Sequence, residues 1–355
     1  MDNLYHITDR SRHLDQGTGR EVVLGDRPYL FFGGTAYLGL NLHTGFATLF
    51  KEGLDRYGLN NGTSRTNNVQ LGIYEDAEKY AAKKFGFGDA VLLSSGYLAA
   101  QLAVRQISKN YSPDQILYSP CCHPALWLDG KPASAGEFAD WANATVEHIN
   151  NSKSDSFLII SNTLDNVQPQ RFDFSVFQAI QPGKKVHFIL DDSHGLGVFD
   201  PSETSVRISQ KPELKLTVVA SLAKGTGIDA GIILADQQTI DELRKTGVFV
   251  GASPSAPAFL YAFLNGGKIY QEQWEKLRAN IRFFKQHLPH RNEWMYIEDY
   301  PVFYSPGKSY FDHLAANQIL ISSFPYPDPN DPPLDRIVLS AAHTQEDLEK
   351  LISLL

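Results

Sequence analysis

Five short apolar runs between residues 90 and 235 constrain the fold of this chain more than any other feature. They are AVLLS (90–94), FLIIS (157–161), VHFIL (186–190), LTVVA (216–220) and GIILA (231–235). Each is rich in Val, Ile and Leu and gives way at once to small or polar residues. A strand with one wet face alternates apolar and polar positions. A run that is apolar throughout is buried on both faces, as in a mostly parallel sheet covered by helices. Parallel neighbours need long crossovers, and the intervening stretches are long enough to supply them. One of these, IYEDAEKYAAKKFG (73–86), carries good helix formers and a glycine stop.

The pattern changes near residue 270. QEQWEKLRANIRFFKQHLP (271–289) reads as a long amphipathic helix ended by proline, followed by the short strand-like WMYIE. A helix, a proline-rich surface loop (324–333), a strand in DRIVLSAAH and a final helix in TQEDLEKLISLL complete an α+β region. Thr344 and Asp347 make a capping-box start to that last helix. The expectation is an α/β chain with an N-terminal segment (1–45), a large domain (46–268) and a small C-terminal domain (269–355).

Composition narrows the function classes. Lys and Arg number 32 against 40 Asp and Glu, a formal charge of −8, which disfavours general binding to a polyanionic nucleic acid. The two cysteines, Cys121 and Cys122, are adjacent and offer neither a disulfide framework nor a spaced metal-ligand set. The first residues are polar and charged, unlike a signal peptide, and no run of 18 apolar residues occurs. These features predict a cytoplasmic chain that binds neither membrane nor nucleic acid.

The chemistry is concentrated in HFILDDSHGLGVFD (187–200). In parallel α/β sheets ligands sit beyond the carboxyl ends of the strands, and Asp191 stands just past such an end. Taken alone, Asp191 or Asp192 reads as a cap for a following helix. Thirty-three residues after Asp191, SLAKGTG places Lys224 among small residues between two apolar runs. A shielded lysine is an amine nucleophile. Pyridoxal phosphate enzymes need this pair: a lysine to condense with the cofactor aldehyde, and a carboxylate to keep the pyridine nitrogen protonated. A serine-hydrolase elbow is excluded by the absence of Gly-x-Ser-x-Gly at the SSGY turn, and no G-x-G-x-x-G follows a first strand.

At these residues the chain resembles the α-oxoamine synthase family. DDSHGLG is similar to the family's D-[DE]-[AS]-H-G-x-G motif and SLAKGTG to its lysine motif. TAYLGLNLH (35–43), NNGTSRTNNVQLGIYEDAEKYAAKKFG, LLSSGYLAA and DRIVLSAAHTQEDLEKL resemble further family blocks, so the likeness runs nearly end to end. It implies the aspartate aminotransferase-like architecture of fold type I and a homodimer with active sites at the subunit interface.

The resemblance also implies roles. Lys224 forms the internal aldimine and moves protons at the substrate α-carbon, Asp191 pairs with the pyridinium nitrogen, and His194 meets the phenolic oxygen. His123 stacks on the ring, Ser221 binds phosphate, and Gly96 and Tyr97 open a helix whose N–H groups do the same. Asn166 falls near a cofactor-touching serine, Ser253 or Ser255 reaches the neighbouring subunit's phosphate, and Arg336 holds the substrate carboxylate.

Three departures stand out. Tyr74 replaces a family histidine, the segment around Asn162 and Asn166 has lost the family's acidic pattern, and AGEFADWANA (135–144) matches poorly. Two reactions remain open on this reading. One is condensation of a small amino acid with an acyl-CoA or acyl-carrier thioester; the other is transamination on the same fold. A histidine stacked on the ring favours the first.

Overall fold

The computed structural model describes residues 13–165, 167–206, 208, 211–326 and 330–355. The chain divides into two compact units, one of Thr48–Asp165 with Arg171–Gly267, the other of Met1–Ala47, Asn166–Gln170 and Lys268–Leu355.

The larger unit is built on six strands: β1 (Asp89–Leu93), β2 (Ile116–Tyr118), β3 (Ser156–Asn162), β4 (Lys185–Asp191), β5 (Leu214–Ser221) and β6 (Gly231–Ala235). Their order across the sheet is β1-β6-β5-β4-β3-β2. From β2 to β5 all pairings are parallel, and β6 runs antiparallel to both β5 and β1. All five apolar runs became strands of this sheet. The sixth, β2, was missed because ILY is too short to show a pattern.

Both faces are buried, and alternate residues feed separate cores. Val186, Phe188 and Leu190 of β4 join Phe157 and Ile159 of β3 under a helix at Phe138–Asn151, with Phe172, Phe174 and Phe177. Ile189, Leu158 and Ile160 point the other way, against Ala99, Ala103 and Val104 of the helix Gly96–Ile107. The small side chains on that helix let it lie close to the strands. The helix read at 73–86 spans Ile73–Phe85, and Gly86 ends it at φ 77°, a left-handed conformation that glycine adopts without strain.

The smaller unit carries its own six-stranded sheet, from Glu21–Leu24 and Arg27–Phe32 through Ile319–Pro325, Pro333–Val338 and Val302–Tyr304 to Met295–Tyr296. Arg27–Phe32 pairs parallel with Ile319–Pro325, and every other pairing is antiparallel. The long helix, Gly267–His287, buries Leu277, Ile281 and Phe284, with Phe284 edge-on to Phe303 at 4.8 Å. Asn280 of this helix donates to the carbonyls of Ser340 and His343. The capping box of the last helix is present in both directions, Thr344 N to Asp347 at 2.8 Å and Asp347 N to Thr344 at 3.3 Å.

Candidate active site

The site assembles at the carboxyl ends of β3, β4 and β5, where Asn162, Asp191 and Ser221 end their strands. Asn162 stands opposite Asp191 in the parallel register. No helix follows the paired acids: the chain turns at 193–195, so neither carboxylate caps one. Asp191 Oδ1 accepts from Ser193 N at 2.9 Å, and its other oxygen accepts no hydrogen bond from the described residues. Ser193 Oγ in turn accepts from Ser221 N at 2.8 Å, tying the end of β5 to the acid on β4.

Lys224 lies on the short helical turn Leu222–Gly225, half-buried, with Nζ 3.0 Å from His194 Nε2. One glycine makes this approach fit. A Cβ on Gly225 would lie 2.2 Å from Leu196 O, so the lysine turn can rest on the His-Gly-Leu-Gly loop only without a side chain there. A Cβ on Gly195 would lie 2.3 Å from Asp192 Oδ1. Gly225 thus packs against the backbone of the other motif, while Gly195 leaves room for the Asp192 carboxylate and the Ser205 side chain.

Asp192 is fully buried and structural. It accepts from Thr163 Oγ1 at 2.8 Å, from Ser205 N at 2.8 Å and from the Ser205 hydroxyl. Burial nevertheless pushes its carboxyl up to about 6 against these hydrogen bonds.

The helix Gly96–Ile107 starts beside Ser221. A Cβ on Gly96 would lie 2.6 Å from Ser221 Cβ, so the helix entrance and the serine are in close contact. Ser95 caps the helix by accepting from Leu98 N at 3.2 Å, while Tyr97 is 60% exposed. A helix N-terminus next to a hydroxyl suits a phosphate.

His123 follows β2 and caps the turn Pro124–Leu126, its Nδ1 accepting from Ala125 N at 3.1 Å. That contact leaves Nε2 as the protonated nitrogen of the neutral ring. Desolvation lowers the imidazole pKa; Asp191 pulls it up and Lys224 pushes it down, which places all three groups within one electrostatic neighbourhood.

Asp191, His194, Ser221, Lys224, His123 and Gly96 thus converge within the larger unit. Asn166 lies outside the described residues. Ser253 is exposed, whereas Ser255 is buried, donates to Asp229 O at 2.7 Å and accepts at its carbonyl from Tyr74. Arg336 belongs to the smaller unit, buried in Pro333–Val338 with its guanidinium 4.9 Å from the Phe324 ring centroid. The hydrogen-bonding roles of Ser193 and Asn162 emerged only from the structure. The position of Ser193 between two catalytic-type residues was the available signal; Asn162 had none beyond its place at a strand end.

An amine, a carboxylate, two imidazoles and a hydroxyl beside a helix entrance form a donor set that fits pyridoxal phosphate. The large sheet and small α+β unit are those of fold type I enzymes. The aminotransferase class I and II family model matches residues 33–355, and the chain belongs to that family. It is 25% identical to 8-amino-7-oxononanoate synthase of Pectobacterium atrosepticum, over 98% of this chain and 93% of that protein. A serine palmitoyltransferase structure with PLP superimposes with a TM-score of 0.80 at 17% identity, over 96% of this chain and 90% of that one. An 8-amino-7-oxononanoate synthase from Francisella tularensis gives 0.67 at 18% identity, over 92% and 96%.

Proposed function

We propose that this chain is a pyridoxal phosphate-dependent acyltransferase of the α-oxoamine synthase kind, condensing a small amino acid with an acyl thioester. The observation that carries the reading is the 3.0 Å contact of Lys224 with His194, in a site that also holds Asp191 and His123. Curated relatives named 8-amino-7-oxononanoate synthase support the reaction class.

When bound, pyridoxal phosphate supplies an electron sink for a carbanion at the amino acid α-carbon. Lys224 is the amine that anchors the cofactor and then takes and returns the α-proton. Asp191 offers its second oxygen to the pyridinium nitrogen, and a charge pair inside a half-buried site holds that nitrogen protonated. His194 orients the Lys224 amine and offers a donor to the phenolic oxygen. Ser221 and the N–H groups at Gly96 and Tyr97 take the phosphate. His123, neutral and protonated on Nε2, would stack on the ring and serve as a hydrogen-bond donor rather than a base.

Arg336 is proposed for the substrate carboxylate, as a guanidinium can grip both oxygens. Ser253 is proposed to reach a phosphate across a homodimer, because the Ser255 hydroxyl is already committed to Asp229 O. Among the described residues no helix is long and apolar enough to cross a membrane, and a cytoplasmic location is part of this proposal.

The test is release of free thiol from an acyl-CoA, dependent on an added amino acid such as glycine, alanine or serine. Conversion of the cofactor to its amine form by amino acid alone, without thiol release, overturns the synthase reading in favour of transamination.

A further inference from the structure

The loop that carries His123 is strained, and one side chain spans the strain. Cys121 sits at φ 57°, a left-handed conformation that a residue with a Cβ rarely adopts. Such a conformation persists only when its surroundings over-determine it. Asn162, at the end of β3, bridges it from both sides: Nδ2 donates to Cys121 O at 2.7 Å, and Oδ1 accepts from His123 N at 3.1 Å. Because one partner is a carbonyl and the other an N–H, the amide has a single workable orientation. Other bonds hold the flanks of the loop. Ser119 N donates to Ile160 O at 3.0 Å and Trp127 Nε1 to Cys122 O at 2.9 Å. Neither reaches the His123 N–H, which Asn162 alone holds among these bonds, while Leu126 N donates to the His123 carbonyl at 2.8 Å.

We propose that Asn162 is a positioning residue, clamping the Cys121–His123 turn so that the His123 ring is presented in one orientation and as one tautomer. The causal chain is short. The clamp sets the N–H side of the His123 backbone; the backbone brings Ala125 N onto Nδ1; and that bond leaves Nε2 as the protonated nitrogen. Asn162 is also the register partner of Asp191, so the clamp is anchored on the strand next to the cofactor acid. This deepens the proposed function and rests on it for the ligand, though not for the geometry.

The test is 15N-histidine NMR of the full chain, with His123 assigned by loss of its signals in His123→Asn. Asn162→Ala is expected to turn the single acceptor-type Nδ1 signal into the averaged pair of two exchanging tautomers. It should also raise the dissociation constant for pyridoxal phosphate by about tenfold, from the loss of two neutral hydrogen bonds. Asn162→Gln keeps the amide on a longer arm and should restore part of both effects. Asn162→Asp keeps the acceptor for His123 N but faces Cys121 O with a carboxylate. It serves as the second variant should the alanine form not fold, and an intermediate tautomer shift is expected. Thr163→Ala, which removes a bond to Asp192 in the same segment, should lower stability without moving the His123 signals. Unchanged His123 signals in folded Asn162 variants overturn the proposal. If the wild-type chain binds no pyridoxal phosphate, the cofactor reading fails, while the NMR result still decides the clamp.

Discussion

Lys224 Nζ and His194 Nε2 lie 3.0 Å apart, joined across thirty residues of chain. When the ammonium is the donor, Nε2 must be bare and the ring proton must sit on Nδ1. The contact therefore orients the amine and selects the tautomer together. His194→Phe keeps a planar ring and removes the partner. It should weaken pyridoxal phosphate binding by about tenfold, measured by absorbance titration. Lys224→Ala should abolish the covalent cofactor band and lower turnover by about 10²–10⁴-fold, the range for losing a positioned acid–base group. A band that survives in Lys224→Ala would remove the lysine from its role.

Asp192 should make stability depend on pH in the direction opposite to ordinary surface carboxylates. Burial raises it to about 6 from 3.8, so the folded chain binds its proton more tightly than the unfolded chain. Its contribution is full below about 3.8 and is lost as pH rises through about 6. Asp192→Asn carries no charge, and its mismatch with the Ser205 N–H is independent of pH. Relative to wild type, the variant should gain on the order of 3 kcal/mol between pH 4 and pH 7.5 in urea unfolding. A difference that stays constant over that range would show that Asp192 does not titrate there.

Much of this architecture was legible because two-sided burial leaves an unbroken apolar run. FLII and VHFIL had only one way to be satisfied, between two layers of helix. The glycines of the two motifs were visible as a pattern, but their reason was not. Gly225 meets Leu196 O, a contact between distant loops that no local rule reports. Asp192 shows the same limit. Its three hydrogen-bond donors come from Thr163 and Ser205, on separate segments, so the sequence offered it no role beyond a helix cap. The edge strand Ile116–Tyr118 and the hairpin Glu21–Leu24 with Arg27–Phe32 were hidden by shortness and by half-exposed alternation.

His343 should weaken the smaller unit in acid. Its Nδ1 accepts from Ser340 N at 3.0 Å, Nε2 donates to Phe31 O at 2.9 Å, and the ring stacks on Phe32 at 4.0 Å. A protonated ring would put a proton on the accepting nitrogen, and burial lowers the pKa to about 4 from 6.5. A depressed histidine contributes stability that is present above about 6.5 and lost as pH falls through about 4. His343→Gln should lower stability at pH 7.5 by about 1–3 kcal/mol through lost packing and one lost hydrogen bond. It should also flatten the acid limb between pH 6.5 and 4. An acid limb of unchanged steepness would place the titrating group elsewhere, with His187, also lowered to about 4 by burial, as the next group to replace.

The two serines that the sequence left as alternatives separate by the work each already does. Ser255 is 3% exposed, and its hydroxyl donates to Asp229 O at 2.7 Å. Its carbonyl accepts from the Tyr74 hydroxyl at 2.9 Å. Tyr74 is held in turn by Arg65, whose guanidinium lies 4.6 Å from the ring centroid and pairs with Glu78 at 3.0 Å. Tyr74, where the resemblance places a histidine, therefore holds the backbone at Ser255. Ser255→Ala and Tyr74→Phe should each lower stability by about 1 kcal/mol, the net value of one buried hydrogen bond, and leave pyridoxal phosphate affinity within about twofold. Ser253→Ala should leave stability unchanged and weaken the cofactor by about fivefold or more, as expected for a charge-assisted hydrogen bond to phosphate. Parallel melting curves and cofactor titrations of the three variants decide the assignment. Loss of cofactor affinity in Ser255→Ala with an unchanged melting temperature would reverse it.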